Sequence, residues 1–317
     1  MTLTMAAGID AGQKFLDVGL APSGKTFRVA NAPAGIARIV ERLAASGIRR
    51  VILEAIGPYA QRLVQALADA GFEVGIVNPR RIKAFRDAEG GRAKTDRLDA
   101  KLIARFALKM SDGVRPLPSA DQMRLKALSL RRRQLVEMIA TEKVRLKQTE
   151  EPLLLDSHRA AIADLSAGLA RIETELAGRI AGDPAGGLGR TFEILTSIPS
   201  FGPRIATLLV TDLPELGTTD RKAIASLAGL APHVSQSGNA PPRAAISGGR
   251  PCVRTALYMA SLVAARHHPE FRHEYAAMRA AGKPAKVALI AIARKLIVTA
   301  NALVKADKLY EKKPDAT

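Results

Sequence analysis

Four carboxylates stand where the chain does not otherwise invite charge. Asp10 lies within a run of small and apolar residues, and Glu54 ends the apolar run Val51, Ile52, Leu53. A charge in such a strand is costly to bury without a partner, so both should project from one sheet edge. Asp96 and Asp99, in KTDRLDA, are three residues apart, which on a helix places them on one face with Cβ atoms ~5–6 Å apart. Carboxylates that close repel unless a cation separates them. If that helix turns its acidic face to Asp10 and Glu54, the four make an all-oxygen cage suited to hard divalent ions, Mg²⁺ or Mn²⁺. Two such ions ~3.5–4 Å apart are a standard device for in-line phosphoryl transfer. Taken singly the residues have plainer readings, Asp96 as a helix N-terminal charge and Asp99 as a partner for Arg92 or Arg97. Their joint placement favours the cage.

Cations surround this acidic set. Between residues 80 and 105 there are nine Lys and Arg against four acids, two of which are Asp96 and Asp99. Such a rim would draw a phosphate backbone over the cage, with Arg80, Arg81 and Lys94 best placed to touch it. Lys101 and Arg105 read equally well as a solvated helix face. A second basic block from Arg243 to Lys295 has ten Lys and Arg opposed only by Glu270 and Glu274. There Arg243, Arg250 and Arg254 could hold a scissile phosphate and offset transition-state charge.

The whole chain repeats this imbalance: 48 Lys and Arg against 30 Asp and Glu in 317 residues, a formal charge of +18. That excess is costly in self-repulsion unless a polyanion offsets it, so nucleic acid is the expected partner. With 47% apolar residues the charge belongs to a folded protein and not to a basic tail. Aromatics are 4% and Trp is absent, which makes phosphate contacts, not base stacking, the expected source of affinity. The single cysteine, Cys252, excludes an internal disulfide and a cysteine zinc site. No secretory leader is recognisable, and the apolar stretch Val287 to Val304 is interrupted by Arg294 and Lys295, so a cytoplasmic protein with no membrane span is expected.

The elements that must position these residues follow from periodicity. GIDAGQKFLDVGLAP and KTFRVAN read as a three-strand meander, followed by a helix from Gly35 to Ser46. A strand from Arg49 to Ala55, a helix closed by Gly71, a strand FEVGIVNP and a helix from Asp96 to Ala107 complete an α/β unit with a mixed sheet. Residues 119–182 read as two long helices broken near Pro152, a helical hairpin or coiled coil. From residue 183 short helices are expected, including a helix-turn-helix over Phe192 to Val210 that looks like a phosphate-binding helix-hairpin-helix, with Ser200 where its first glycine is usual. A long helix from Lys283 to about Lys308 closes the chain. Three domains are therefore expected, at 1–118, 119–182 and 183–317.

GIDAGQKFLDVGL, VILEAIGPYAQRLVQALADAGFEVGIVNPRRIKAF and KTDRLDAKLIARF together resemble the DEDD transposases of insertion sequence family 110. The resemblance implies an RNase H-like, RuvC-type N-terminal domain with Asp10, Glu54, Asp96 and Asp99 as ligands of Mg²⁺, in the order of that motif. Ile56 departs from the family's usual Thr without touching a ligand. LAGLAPHVSQSGNAPPRAAISGGRPCVRTALYMAS resembles the family's helical C-terminal domain and aligns Ser237 with its nucleophilic serine; Pro241 and Pro242 depart from the usual Gly and Lys. From the residues alone Ser235 and Ser247 are equal rivals, and His233 is a weak potential base.

The resemblance implies a mobile-element recombinase acting on donor and target DNA under a bridge RNA, as a dimer or tetramer, through a phosphoserine intermediate. A RuvC-like junction-resolving endonuclease using water is the alternative. A sugar-kinase-like or actin-like ATPase shares the GIDAG opening but lacks a second glycine-rich phosphate loop, and a binding module without catalysis has no use for four carboxylates.

Overall fold

The computed structural model describes residues 5–54, 58–90, 96–109, 119–183, 187–235 and 243–311, the side chains of residues 58, 96, 97, 120, 234, 235 and 243 excepted. Two compact units divide the chain, residues 1–118 and 119–317, so the expected hairpin and C-terminal region fall within one unit.

The first unit is built on a five-stranded sheet of order β3-β2-β1-β4-β5. The strands are β1 (Ala6–Ala11), β2 (Phe15–Ala21), β3 (Thr26–Ala30), β4 (Arg50–Glu54) and β5 (Glu73–Val77). β1 runs antiparallel to β2 and parallel to β4, as an RNase H-like mixed sheet requires. The helices are α1 (Pro33–Ala45), α2 (Gln61–Asp69), α3 (Pro79–Ala88) and α4 (Asp96–Lys109). α3 is an element the sequence reading passed over. Asn78 caps it, its side chain accepting from the Arg80 N–H, and Pro79 occupies the first turn, where its missing donor costs nothing.

Strand alternation divides the core in two. Ala7, Ile9, Leu16, Val18, Val51 and Leu53 point one way and pack with Ile36, Ile39 and Leu43 of α1 and Leu63 and Leu67 of α2. Ala6, Ile52 and Val77 point the other way, against Ile82 of α3 and Ile103 and Phe106 of α4. α4 approaches this second face closely because two glycines admit it. A Cβ on Gly8 would stand 2.1 Å from the Ala104 nitrogen, and one on Gly19 would stand 2.4 Å from the Ala100 oxygen.

The second unit opens with α5 (Ala120–Leu146) and α6 (Pro152–Ala181), which pack along each other as the sequence led us to expect. Ser119 starts α5 with a capping box closed by Gln122. Next come α7 (Leu188–Ser197), α8 (Pro203–Asp212) and α9 (Arg221–Leu227). Ser200, between α7 and α8, has φ 69, so a serine adopts the left-handed turn that glycine usually serves. A short hairpin, β6 (Pro232–Ser235) and β7 (Arg243–Ile246), was not expected; its strands are too short to show alternation. The unit closes with α10 (Pro251–His267), α11 (Pro269–Ala280) and α12 (Ala285–Ala306).

Despite Arg294 and Lys295, α12 is long and apolar enough to cross a membrane by length and composition, with a hydropathy of 1.9 in its best window. That corrects the expectation that it would fall short. Its apolar stripe serves the core instead: Ala288, Leu289, Ile292, Ala293, Leu296 and Ile297 are buried with residues of α9 and α10.

Candidate active site

Register brings the first two carboxylates to one place. Ile9 pairs with Leu53 in the parallel β1–β4 ladder, and Asp10 and Glu54 are the next residues on their strands. Since Ile9 and Leu53 belong to the α1 and α2 side of the sheet, Asp10 and Glu54 take the opposite face, the one α4 covers. Both are half-buried. They therefore lie near the C-terminal ends of two neighbouring interior strands of the sheet, not on an edge strand.

Two further residues lie in the same row. Asp17 of β2 is directly opposite Asp10, and Arg28 of β3 is directly opposite Asp17. Asp17 is buried, 3% exposed, and Arg28 holds its carboxylate in a fork: Nε donates to both oxygens at 3.0 Å and Nη2 to Oδ2 at 2.8 Å. The guanidinium also lies 5.4 Å from the centre of the Phe15 ring. The sequence reading missed Asp17; the available signal was that it interrupts Leu16 and Val18 just as Asp10 interrupts Ile9 and Ala11.

α4 carries the other pair. Asp96 is its first residue, and its side chain lies outside the description. Asp99 is 6% exposed, and Arg86 of α3 donates to its Oδ1 at 2.5 Å, so its partner is Arg86 and not the Arg92 or Arg97 considered from sequence. A groove of about 410 Å³ opens at Asp99, lined among others by Arg86, Lys101 and Arg105. Among the described residues no three of His, Cys, Asp and Glu come close enough together to hold a metal ion.

Of the basic residues expected to touch nucleic acid, Arg80 is exposed near the start of α3, while Arg81 is half-buried with its guanidinium 5.5 Å from the centre of the Phe106 ring. Lys94 lies outside the described residues, as does Ser237. The side chains of Arg243 and Ser235 are also outside the description, and Ser247 and His233 are exposed.

Arg250 and Arg254 are engaged within their own unit. Arg250 grips Glu215 in a fork of 2.7 and 2.6 Å, and Arg254 Nη1 donates to the Gly248 carbonyl at 2.8 Å. These bonds fasten the turn after β7 to the α8–α9 and α9–β6 connections. Arg254 thereby braces the Gly229–Gly249 approach, where a Cβ on Gly249 would come within 2.2 Å of the Gly229 nitrogen.

Cys252 is half-buried, and burial, then the neighbouring Asp212 carboxylate, pushes its thiol above the ordinary value. It is placed as a packing residue and not as a nucleophile.

A five-stranded mixed sheet with carboxylates on neighbouring interior strands and helices on both faces is the architecture of the first unit. Sequence comparison makes the assignment narrower. Residues 7–152 match a family described as Transposase, of the DEDD type of IS110, and residues 192–276 match one described as Transposase IS116/IS110/IS902 family. The chain belongs to the IS110 family of transposases, enzymes of DNA recombination.

It is similar to the pilin gene-inverting protein of Moraxella bovis, at 29% identity over 268 residues, 83% of this chain and 82% of that protein. It is also similar to the insertion element IS110 uncharacterized 43.6 kDa protein of Streptomyces coelicolor, at 32% identity over 130 residues, 39% of this chain and 31% of that one. Among solved structures, T. thermophilus RuvC in complex with a Holliday junction substrate aligns at 20% identity over 36% of this chain and all of RuvC, with a TM-score of 0.27.

Proposed function

We propose that this transposase cuts and exchanges DNA strands with Ser237 as nucleophile and divalent ions held by Asp10, Glu54, Asp96 and Asp99. The observation that carries the proposal is the placement of Asp10 and Glu54 side by side on neighbouring interior strands, on the face α4 covers. Two half-buried carboxylates side by side repel each other and offer the oxygen-only donor set that Mg²⁺ or Mn²⁺ prefers. α4 begins with one further carboxylate and buries another, Asp99, against Arg86. When bound, such ions lower the barrier to phosphoryl transfer by stabilising charge on the attacking and leaving oxygens.

The chain's own residues then have distinct tasks. The Ser237 oxygen forms a bond to a DNA phosphorus as the bond from that phosphorus to a deoxyribose oxygen breaks. The strand is cut there, the deoxyribose oxygen leaving as a hydroxyl that takes up the proton the serine gives up. The phosphoester bond energy is kept in a phosphoserine ester, and attack by the exchanged strand's hydroxyl then releases the serine again. Arg80, Arg81 and Lys94 steer the backbone towards the carboxylates, and Arg243 adds positive charge in the second unit. Arg250 and Arg254, gripping Glu215 and the Gly248 carbonyl, hold the turn that follows β7. The Moraxella relative is named for inverting a gene, an outcome in which cut ends are rejoined, which favours strand transfer over simple hydrolysis.

The family resemblance supplies a bridge RNA as guide and a dimer or tetramer as the working form. Leu130, Met138, Val144, Leu153 and Leu154, exposed on α5 and α6, support a second copy as the cover for that hairpin. In the second reading, a hydrolytic junction-resolving endonuclease, the same carboxylates act on water; the Asp10–Glu54 row needs nothing beyond the first unit and so is equally compatible with it.

The deciding experiment combines the full chain, RNA transcribed from the flanks of its gene, target DNA and Mg²⁺. Wild-type protein is expected to yield a protein–DNA adduct stable to detergent, lost in Ser237→Ala and in Asp10→Asn. Free 5′-phosphate ends without any adduct would establish the hydrolytic reading, and an adduct that survives Ser237→Ala would remove the serine from the mechanism.

A further inference from the structure

The row of charges across the sheet does not stop at Asp10 and Glu54. Reading along one face from β3 to β4, the residues are Arg28, Asp17, Asp10 and Glu54. Residues directly opposite on antiparallel strands have Cβ atoms ~4.5–5.5 Å apart, so Asp17 is the cross-strand neighbour of Asp10 on this face. Asp17 is buried, with a side chain 4% exposed against 38% for Arg28. A buried carboxylate needs a counter-charge, and Arg28 gives it one through three N–H···O contacts of 2.8–3.0 Å.

We propose that Asp17 and Arg28 are a positioning pair that sets how tightly the Asp10–Glu54 edge holds a divalent ion. The proposal rests on the metal-site reading given above. Together the pair carries no net charge, so it leaves the field on the ion to the proposed ligands; separately, each member would alter that field in an opposite sense.

Removal of the Asp17 charge leaves a cation beside the site and repels the ion. Removal of the Arg28 charge leaves a third carboxylate in the row and attracts it. A unit charge ~8 Å from a divalent ion in a water-accessible site changes affinity roughly five- to tenfold. A purely structural role predicts something else: both substitutions would loosen the sheet and weaken binding together.

The test is Mn²⁺ binding to the full-length protein without nucleic acid, followed by the loss of the free-ion electron paramagnetic resonance signal. Wild type is expected to bind Mn²⁺ and Asp10→Asn to lose that binding. Asp17→Asn should bind roughly five- to tenfold more weakly and Arg28→Gln more tightly by a similar factor. The double variant Asp17→Asn/Arg28→Gln should return to within about threefold of wild type, since its charge sum is restored. Circular dichroism on each variant checks that the fold is kept, and the double variant keeps the test valid if Arg28→Gln alone fails to fold. Shifts of the same sign in both single variants, no shift in either, or no recovery in the double variant would overturn the pairing while leaving the metal site in place. Absence of Mn²⁺ binding in the wild type would overturn both.

Discussion

Gly8 offers the sharpest test of how the fold sets the site. A Cβ at this position would stand 2.1 Å from the Ala104 nitrogen, 2.5 Å from the Ile103 carbonyl carbon and 2.7 Å from the Ala100 oxygen, all backbone of α4. Backbone cannot rotate aside as a side chain tip can. To raise 2.1 Å to the 3.4 Å of an ordinary contact, α4 must lift from the sheet by about 1.3 Å. Overpacking of this kind costs about 3 kcal/mol, which lowers the unfolding midpoint of a unit this size by roughly 10 °C.

The displacement also carries Asp99 away from the β1 edge, and misplacement by ~1 Å is enough to cost on the order of a hundredfold in rate. Gly8→Ala should therefore lose both stability, followed by differential scanning calorimetry, and strand cleavage, followed on labelled DNA with Mg²⁺ at a temperature where the variant remains folded. Gly178→Ala is the control: it lies in α6 with nothing within 4 Å of the added methyl, and it should stabilise slightly, by about 0.5–1 kcal/mol. If Gly8→Ala matched wild type in both measurements, the close approach of α4 would not be what positions the carboxylates.

Asp212, 7% exposed, accepts from Ser129 at 2.6 Å and from Arg133 at 2.8 Å, so Asp212→Ala strands buried donors and should cost about 3 kcal/mol in a urea unfolding series. Cys252, its thiol held high by burial and by Asp212, should resist alkylation at pH 7 in the folded protein and react readily once unfolded, as a mass-spectrometric time course would record. Glu142 is held below the ordinary carboxylate range chiefly by its bond to His158, so the contribution of this contact is present above the unfolded-state value and is lost as pH falls through the lowered one. Circular dichroism of Glu142→Gln should accordingly show a smaller acid-induced loss of helix than wild type. Glu215→Gln, which breaks the fork on Arg250, should lower stability while leaving the salt dependence of DNA binding unchanged; a change in that dependence would mean that Arg250 reaches phosphate directly.

Much of this protein could be read from the order of its residues. The short apolar runs of GIDAGQKFLDVGL, broken by turn residues, and the helical period of PYAQRLVQALADAG set strands β1 and β2 and helix α2, because burial selects apolar residues in the local pattern of each element. The run after Ser119, nearly free of Pro and Gly and rich in good helix formers, specified two helices by propensity, and the charge excess pointed to nucleic acid without any structure. What short-range pattern cannot carry is register between strands distant in sequence. That Asp10 stands beside Glu54 follows only from the pairing of Ile9 with Leu53, and that Asp17 and Arg28 extend the same row follows only from the β2 ladders. The partner of Asp99 was equally hidden: among several nearby arginines, only packing of α3 on α4 selects Arg86. Arg294 and Lys295 made α12 read as too short an apolar stretch for a membrane span, whereas the whole helix is long and apolar enough by composition, and only the helices packed on its apolar stripe show that the stripe is core. Local sequence fixes which way a residue can point; tertiary packing decides what it meets there, because the contacts that settle charge and burial join segments the chain itself keeps far apart.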